Sequence, residues 1–363
     1  MQCTNNLKQI GLGIHVHVDA HKVLPTNSTM QNRGAYYYQL AANPSYNYGR
    51  LNYIVAILPN MEQAALYEAA MVDLYTCAGN GTPAAEVATS PWFKQVPGLR
   101  CPSDGGNGGS GSATAAGVGR NNYMASSGDW PEGHVYAVRT NPGAYIDNPR
   151  GAFPMKKTST DSGVSFTEAA PKSLGAIIDG TSNTVAVAEK CVGETGSSRN
   201  NLNIKRAVVN NSSAVAGPAN TVTENPRDVG VPSLCFGSAV ASGKFLIVEG
   251  YGDIGGIRWA DGVAPYASFA TILPPNAPSC TADPAEPLGR VLSSASSEHT
   301  GGVNCLRFDG SVNFVSDTVS TSGGGVDKNG VTGLDAFAVS SGASPYGVWG
   351  AFGSINGGES VSL

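Results

Sequence analysis

Leu7, Ile10, Ile14 and Val18 recur at intervals of three and four between residues 4 and 21, with polar positions among them. That spacing gathers the apolar side chains into one stripe and predicts an α-helix with one face turned to a core. Gly11 and Gly13 interrupt the pattern. Each weakens the helix by up to about 1 kcal/mol against Ala, yet leaves room for a neighbour to approach closely. Pro25 cannot continue the helix and is expected to end it. A second helical spacing runs through Ile54, Ile57, Met61, Ala65 and Val72. Pro59 and the capping pattern of Asn60 with Gln63 place its start near Asn60.

Towards the other end the period changes to two. The runs Val303–Phe308 and Ser311–Ser316 flank Asp309-Gly310, the dipeptide suited to a two-residue type I′ turn in which both residues take positive φ. Pairing across such a turn sets Phe308 against Ser311, Leu306 against Asn313 and Asn304 against Val315. Arg307–Val312, Cys305–Phe314 and Val303–Ser316 then occupy the opposite face. Both faces carry apolar side chains, which implies a ribbon covered on both sides in the interior of a sheet. Further short runs, Ala176–Ile178, Thr184–Ala188 and Phe245–Val248, alternate with Gly, Pro and Asn turns and have no helix between them. Strands in succession after early helices predict an α+β fold with an antiparallel sheet rather than βαβ units.

Composition adds long loops to this plan. Charged residues make up 13% of the 363 positions, about half the roughly 25% of ordinary globular domains. Gly numbers 47 and Pro 22, so turns and loops take a large share of the chain. Residues 105–119 read GGNGGSGSATAAGVG, a low-complexity stretch expected to form an exposed loop. Residues from about 190 to 245 are polar and turn-rich and are expected to be a long insertion, and Ser320–Gly325 is a second Gly/Ser-rich piece. No clear linker divides the chain, which favours a single unit.

A net charge of −5 offers no polybasic stripe, which argues against nucleic-acid binding. No apolar run approaches the roughly 20 residues of a membrane span, and Met1 is not followed by signal-peptide regions. Seven cysteines stand at positions 3, 77, 101, 191, 235, 280 and 305, with no C-x-x-C pair. Such scatter fits disulfides in an oxidising compartment. Cys77–Cys101 and Cys235–Cys280 are the local pairings to expect first, the connectivity being open.

Several groupings invite chemistry. His299 precedes Asp309 by ten positions. As a turn residue, Asp309 is accounted for by its tolerance of left-handed backbone, and His299 is expected to hydrogen-bond back onto turn backbone. No partner has the spacing of a known triad and no G-x-S-x-G occurs, so no catalytic residue is assigned. Asp179-Gly180-Thr181-Ser182-Asn183 crowds oxygen ligands into one turn, making Asp179 and Asn183 calcium candidates, although the regular acidic spacing is missing. No other metal or cofactor is expected. His17 and His21 share a helix face while His15 does not, a weak basis for a metal. Gly106, Gly108 and Gly111 satisfy a dinucleotide-binding pattern without a strand before or a helix after it. Arg258 and Trp259, with Trp130 and Trp349, form a candidate binding surface if exposed.

Beyond these readings, the segment His299, Gly301, Gly302, Val303, Asp309, Gly310, Ser311, Val312 resembles the signature of a bacterial family. These are the prepilin-type processing-associated H-X9-DG proteins, also filed as domain-of-unknown-function family fifteen fifty-nine. Other pieces agree with it in order: CTNNLKQIGLGIH from Cys3, Ile57-Leu58-Pro59, Glu62-Gln63, and Cys101-Pro102-Ser103-Asp104. Then come Asn121-Asn122-Tyr123, IIDGTSNT with Asp179 and Gly180, Glu189, RWADG from Arg258, LPPNAPSC from Leu273, and Gly357-Gly358-Glu359. The resemblance spans nearly the whole chain, with Val18 departing where a second family histidine often stands.

The resemblance implies a pilin-like fold. Residues 1–25 would be the end of a longer helix whose hydrophobic part this chain lacks, and 26–363 a single head with the loop 105–119 and the insertion near 190–245. It implies a non-enzymatic subunit of a pilus, pseudopilus or type II secretion-related assembly in the cell envelope or outside the cell. Its partners would be copies of itself or other pilin-like subunits, and it would meet the membrane only through the absent helix. The alternatives are a surface-anchored module binding glycan or protein, favoured by exposed tryptophans, and a hydrolase, which would need His299 beside a carboxylate and a Ser or Cys.

Overall fold

The structure is a computed structural model that describes residues 1–27, 51–72, 91–106, 118–130, 150–153, 171–193, 203–206, 255–262, 264–281, 290–322 and 341–359, with short pieces at 77–78, 82–83, 132–133, 160–161, 164–165, 208–210, 232, 234–237 and 250–251. The expected strand Phe245–Val248, residues 107–117 of the glycine loop and most of the 190–245 insertion lie outside them.

The predicted stripe forms a helix, α1, Gln2–His21, burying Cys3, Leu7, Ile10, Ile14 and Val18 together with Asn6, Gly11 and Gly13. Each fully buried Leu or Ile contributes roughly 1.5–3 kcal/mol. The helix stops before Pro25: Lys22 turns left-handed at φ 64, and its N–H caps Val18 O. A Cβ at Gly11 would stand 2.9 Å from Leu306 Cδ1, and one at Gly13 3.3 Å from Met61 Cγ. The two glycines therefore let the helix settle directly onto its neighbours.

The second helical region starts earlier than its capping pattern suggested. Asn52 accepts Ile54 N at 3.1 Å and begins α2, Tyr53–Ile57. Pro59 has no N–H to continue the α ladder, so the chain tightens into a 3₁₀ turn at Leu58–Met61 before α3, Ala64–Val72. Asn60 sits inside that turn and donates to Gly13 O at 3.3 Å instead of capping.

Five strands make the central sheet: β1, Tyr123–Ser126; β2, Val185–Glu189; β3, Ser268–Phe269; β4, Gly302–Arg307; and β5, Val312–Ser316. Their order is β3-β1-β2-β4-β5. All neighbours run antiparallel except β3, which is parallel to β1, so the sheet is mixed rather than purely antiparallel. A long connection from β1 to β3 permits this direction. Thr184–Ala188 became β2 as expected. Ala176–Ile178 did not become a strand: Leu174–Ala176 is a 3₁₀ turn, and Ile178 is 76% exposed ahead of Gly180 at φ 93. Three apolar residues could not outweigh the Asp-Gly turn that follows them.

The hairpin is present with its register moved by one. Val303 pairs with Val315 and Leu306 with Val312. Gly310 N bonds to Arg307 O at 3.0 Å and Arg307 N to Ser311 O at 2.9 Å, enclosing three loop residues. Gly310 alone takes positive φ, at 85, so this is a turn closed by a left-handed glycine. Asp309 instead accepts Ser311 N at 2.8 Å. A one-residue slip sends alternate side chains to opposite faces: Val315 joins Val303, and Val312 packs on the side of Leu306. β4 is interior but β5 is the sheet edge, with Phe314 51% exposed.

Two cores follow. Helix α1 covers one sheet face with Leu306, Phe308 and Val187, while Met124, Val185, Val303, Cys305 and Val315 meet Trp349 and Phe352 on the other. Those two aromatics belong to α4, Gly347–Gly353. A second five-stranded sheet contains Ser279–Thr281 and Arg290–Leu292. Cys235 bonds to Cys280 as expected, whereas Cys101 bonds to Cys3 rather than Cys77. The amino end of α1 lies against the 100–104 turn, where Asn6 Nδ2 donates to Arg100 O at 2.8 Å.

Candidate functional site

His299 does not turn back onto the hairpin backbone. Its Nε2 lies 3.1 Å from Glu189 Oε1, a residue 110 positions away at the end of β2. Glu189 is held from the other side by Asn304 of β4, whose backbone N donates to Oε2 at 2.8 Å and whose Nδ2 approaches both oxygens at 3.1 Å. Ser297 fixes the loop below, its Oγ accepting His299 N at 3.1 Å and donating to Gly302 O at 2.7 Å. The Cys101 sulfur completes the group, 3.8 Å from His299 Nε2 and 3.9 Å from Glu189 Oε1. Glu189 is 2% exposed and His299 26% in their side chains.

Asn122 joins this group to a charged one. It accepts Cys101 N at 3.0 Å and donates to Asp104 Oδ2 at 2.5 Å and to Lys190 O at 2.9 Å. Asp104 also takes the N–H groups of Gly106 and Val192, each at 2.9 Å. Arg206 bridges Asp104 at 2.5 Å and Glu298 at 2.7 Å. Lys190 is wholly buried, and desolvation lowers its ammonium to about 8. It donates to Ser279 Oγ at 2.9 Å and Ser294 O at 2.6 Å. Burial, with the Asp104 carboxylate next, raises the Cys191 thiol to about 12, so it remains a thiol. Between the groups is a cavity of about 10 Å³ bordered by Cys101, Asp104, Asn122, Glu189, Lys190 and Cys191. That is room for roughly one water.

The arrangement meets part of the condition set for a hydrolase, since His299 does face a carboxylate and a cysteine sulfur. That sulfur is already bonded to Cys3, and the nearby Ser297 hydroxyl is spent on Gly302. What the geometry does supply is cross-linking. Cys3, Cys101, Asp104, Asn122, Glu189 and His299, from pieces scattered through the sequence, bind one another in a single cluster.

The remaining expected residues are placed elsewhere. Asp309 and Gly310 serve the hairpin turn. Asp179 accepts Gly357 N at 2.6 Å and Gly358 N at 2.7 Å, while Asn183 Nδ2 donates to Asp179 O at 3.2 Å. Both carboxylate oxygens thus clasp the 357–358 backbone, a structural use for the calcium candidates. Trp130, Trp259 and Trp349 are 4%, 0% and 0% exposed and belong to the interior, which corrects their reading as a binding surface. Arg258 reaches Asp261 at 3.4 Å and lies 4.9 Å over the Tyr266 ring. The His17 and His21 rings stack at 4.2 Å. Sequence reasoning missed Lys190, Arg206, Asn304 and Ser294, whose roles depend on strands meeting across the fold.

The family profile described as "Protein of unknown function (DUF1559)" matches residues 1–322. No curated protein and no solved structure matches the chain.

Proposed function

The chain belongs to the DUF1559 family, and from that premise we propose that it is a non-enzymatic structural subunit of a pilus- or pseudopilus-like assembly at the cell surface. The supporting observation is the seating of α1. One stripe is buried on the sheet, and the disulfide to Cys101 bolts its first turn to the head. Its other side carries Leu12 at 63% and Val16 at 41% exposure, apolar positions open to a neighbouring helix.

Three further features support the reading. The motif side chains bind each other, as suits a scaffold. The tryptophans are interior, which disfavours a glycan-binding strip. Two disulfides fit an oxidising compartment outside the cytosol. Among the described residues no helix is long and apolar enough to cross a membrane. In this reading the anchor is a hydrophobic stretch continuous with α1, and subunits pack through the exposed side of that helix.

The test is to express the complete gene in a pilus-competent bacterium and examine the sheared surface fraction. Sedimentable filaments carrying this chain are expected, and Leu12→Asp should reduce their yield several-fold without unfolding the head. Recovery of the wild-type chain only as dispersed monomer would refute the reading.

A further inference from the structure

We propose that the Cys3, Cys101, Glu189 and His299 cluster is a metal site in the reduced protein, taking a tetrahedral divalent cation of the zinc type in place of the disulfide. The two thiolates, one imidazole and one carboxylate oxygen are the donors such an ion prefers. Their metal-binding atoms all lie within 4.8 Å of one another. Bonds of about 2.0–2.3 Å at a tetrahedral centre put ligand atoms roughly 3.3–3.8 Å apart. The observed edges are 3.1 Å from His299 Nε2 to Glu189 Oε1, 3.8 Å from His299 to the Cys101 sulfur, and 3.9 Å from Glu189 to that sulfur. Three of six edges already approximate the coordination shell.

The surroundings are those of a built site. Asn304 orients the Glu189 carboxylate and Asn122 fixes the Cys101 backbone, the kind of outer support that holds ligands in place. His299 is the partly exposed member and supplies the way in. The neighbouring trio of Asp104, Cys191 and Glu298 differs, because the Arg206 guanidinium already lies between its two carboxylates.

The chemistry balances with a phosphine as reductant. The phosphine is oxidised to its oxide with oxygen from water, and two electrons and two protons pass to the Cys3 and Cys101 sulfurs as the S–S bond breaks. The cation then displaces both thiol protons. His299 binds through Nε2 as the neutral ring with its one proton on Nδ1, and the ion sits beside the 3.1 Å gap between Nε2 and Glu189 Oε1.

The experiment uses the full chain, stripped with chelator, reduced with phosphine and titrated with cobalt(II), then with zinc in competition. Expected are thiolate-to-cobalt charge transfer and strong visible bands of tetrahedral cobalt, both bleached by zinc and absent from the oxidised protein. The Cys3→Ser, Cys101→Ser double variant should lose the charge-transfer band, which separates this site from the other cysteines. His299→Ala should still form the disulfide but bind cobalt at least about 10-fold more weakly once reduced. Equal cobalt affinity in wild type and the double variant would overturn the proposal, as would an unchanged affinity in His299→Ala. If the variants do not fold, the wild-type spectrum decides, and octahedral cobalt without thiolate bands overturns it. Filament formation plays no part in this readout.

Discussion

Replacing Cys3 and Cys101 together by Ala, in metal-free oxidising buffer, removes the link between α1 and the 101–104 turn. The residues are separated by 98 positions, so in the chain-entropy account the bridge is worth about 4.7 kcal/mol at 25 °C, while measured bridges typically give about 2–4. The Cys235–Cys280 bridge spans 45 positions and by the same relation is worth about 4.0 kcal/mol. The logarithm makes the two nearly equal despite a twofold difference in span. The native fold should persist, because Leu7, Ile10 and Ile14 keep α1 on the sheet. The effect therefore lies mostly in the unfolded ensemble, which becomes more expanded, and the denaturant slope should rise as stability falls. Guanidinium unfolding followed by fluorescence of the four tryptophans, all buried, reads both quantities. A loss of about 2–4 kcal/mol with a larger slope is expected. A loss below about 1 kcal/mol with an unchanged slope would refute the assignment of this bridge as a major constraint.

Arg150 and Asp129 form a fully buried two-pronged pair at 2.8 and 2.6 Å; Arg150→Met should cost about 3–5 kcal/mol by stranding the carboxylate, and a thermal scan showing no decrease would contradict it. Lys190, lowered from 10.5 to about 8 in the fold, gives a pH signature. Between those values the unfolded chain holds a proton that the folded one has released, so stability rises with pH by at most about 1.4 kcal/mol per unit. Lys190→Met should lack that rise, and parallel stability curves for the two proteins from pH 8 to 10 would defeat the argument. Asp179→Ala removes both acceptors of the 357–358 backbone; a loss of about 1–3 kcal/mol is expected, with faster proteolysis after Ser354, and an unchanged cleavage rate would count against the clasp.

Much of the framework was legible from period alone. The α1 stripe, β2 and the β4–β5 hairpin follow from runs long enough to bury a face. What escaped reading depended on small local differences or distant meetings. The register turned on whether Phe308 belongs to the strand or the loop, which an Asp-Gly dipeptide does not decide. The parallel β3 is two residues long, too short for any periodic signal. The Cys3 bond required knowing that the first turn of α1 rests beside residue 101. His299 and Glu189 were visible as separate motif pieces, but their contact arises only when β2 pairs with β4. Sequence alone left open whether the tryptophans face solvent or the core; the fold buries each of them, as with Trp349 under the sheet.

The sulfur bridge at the first turn of α1 has a mechanical consequence. A pull applied to the amino end enters the head covalently at residue 101. The stretch between the bridged residues is shielded from tension, and the apolar seat of the helix is spared shear. Load then continues into the turn that Asn122 and Asp104 lash to the Lys190 and Val192 backbone just beyond β2. Reduction would reroute the same force through α2, α3 and the segments that follow them, turning a stiff coupling into a compliant one.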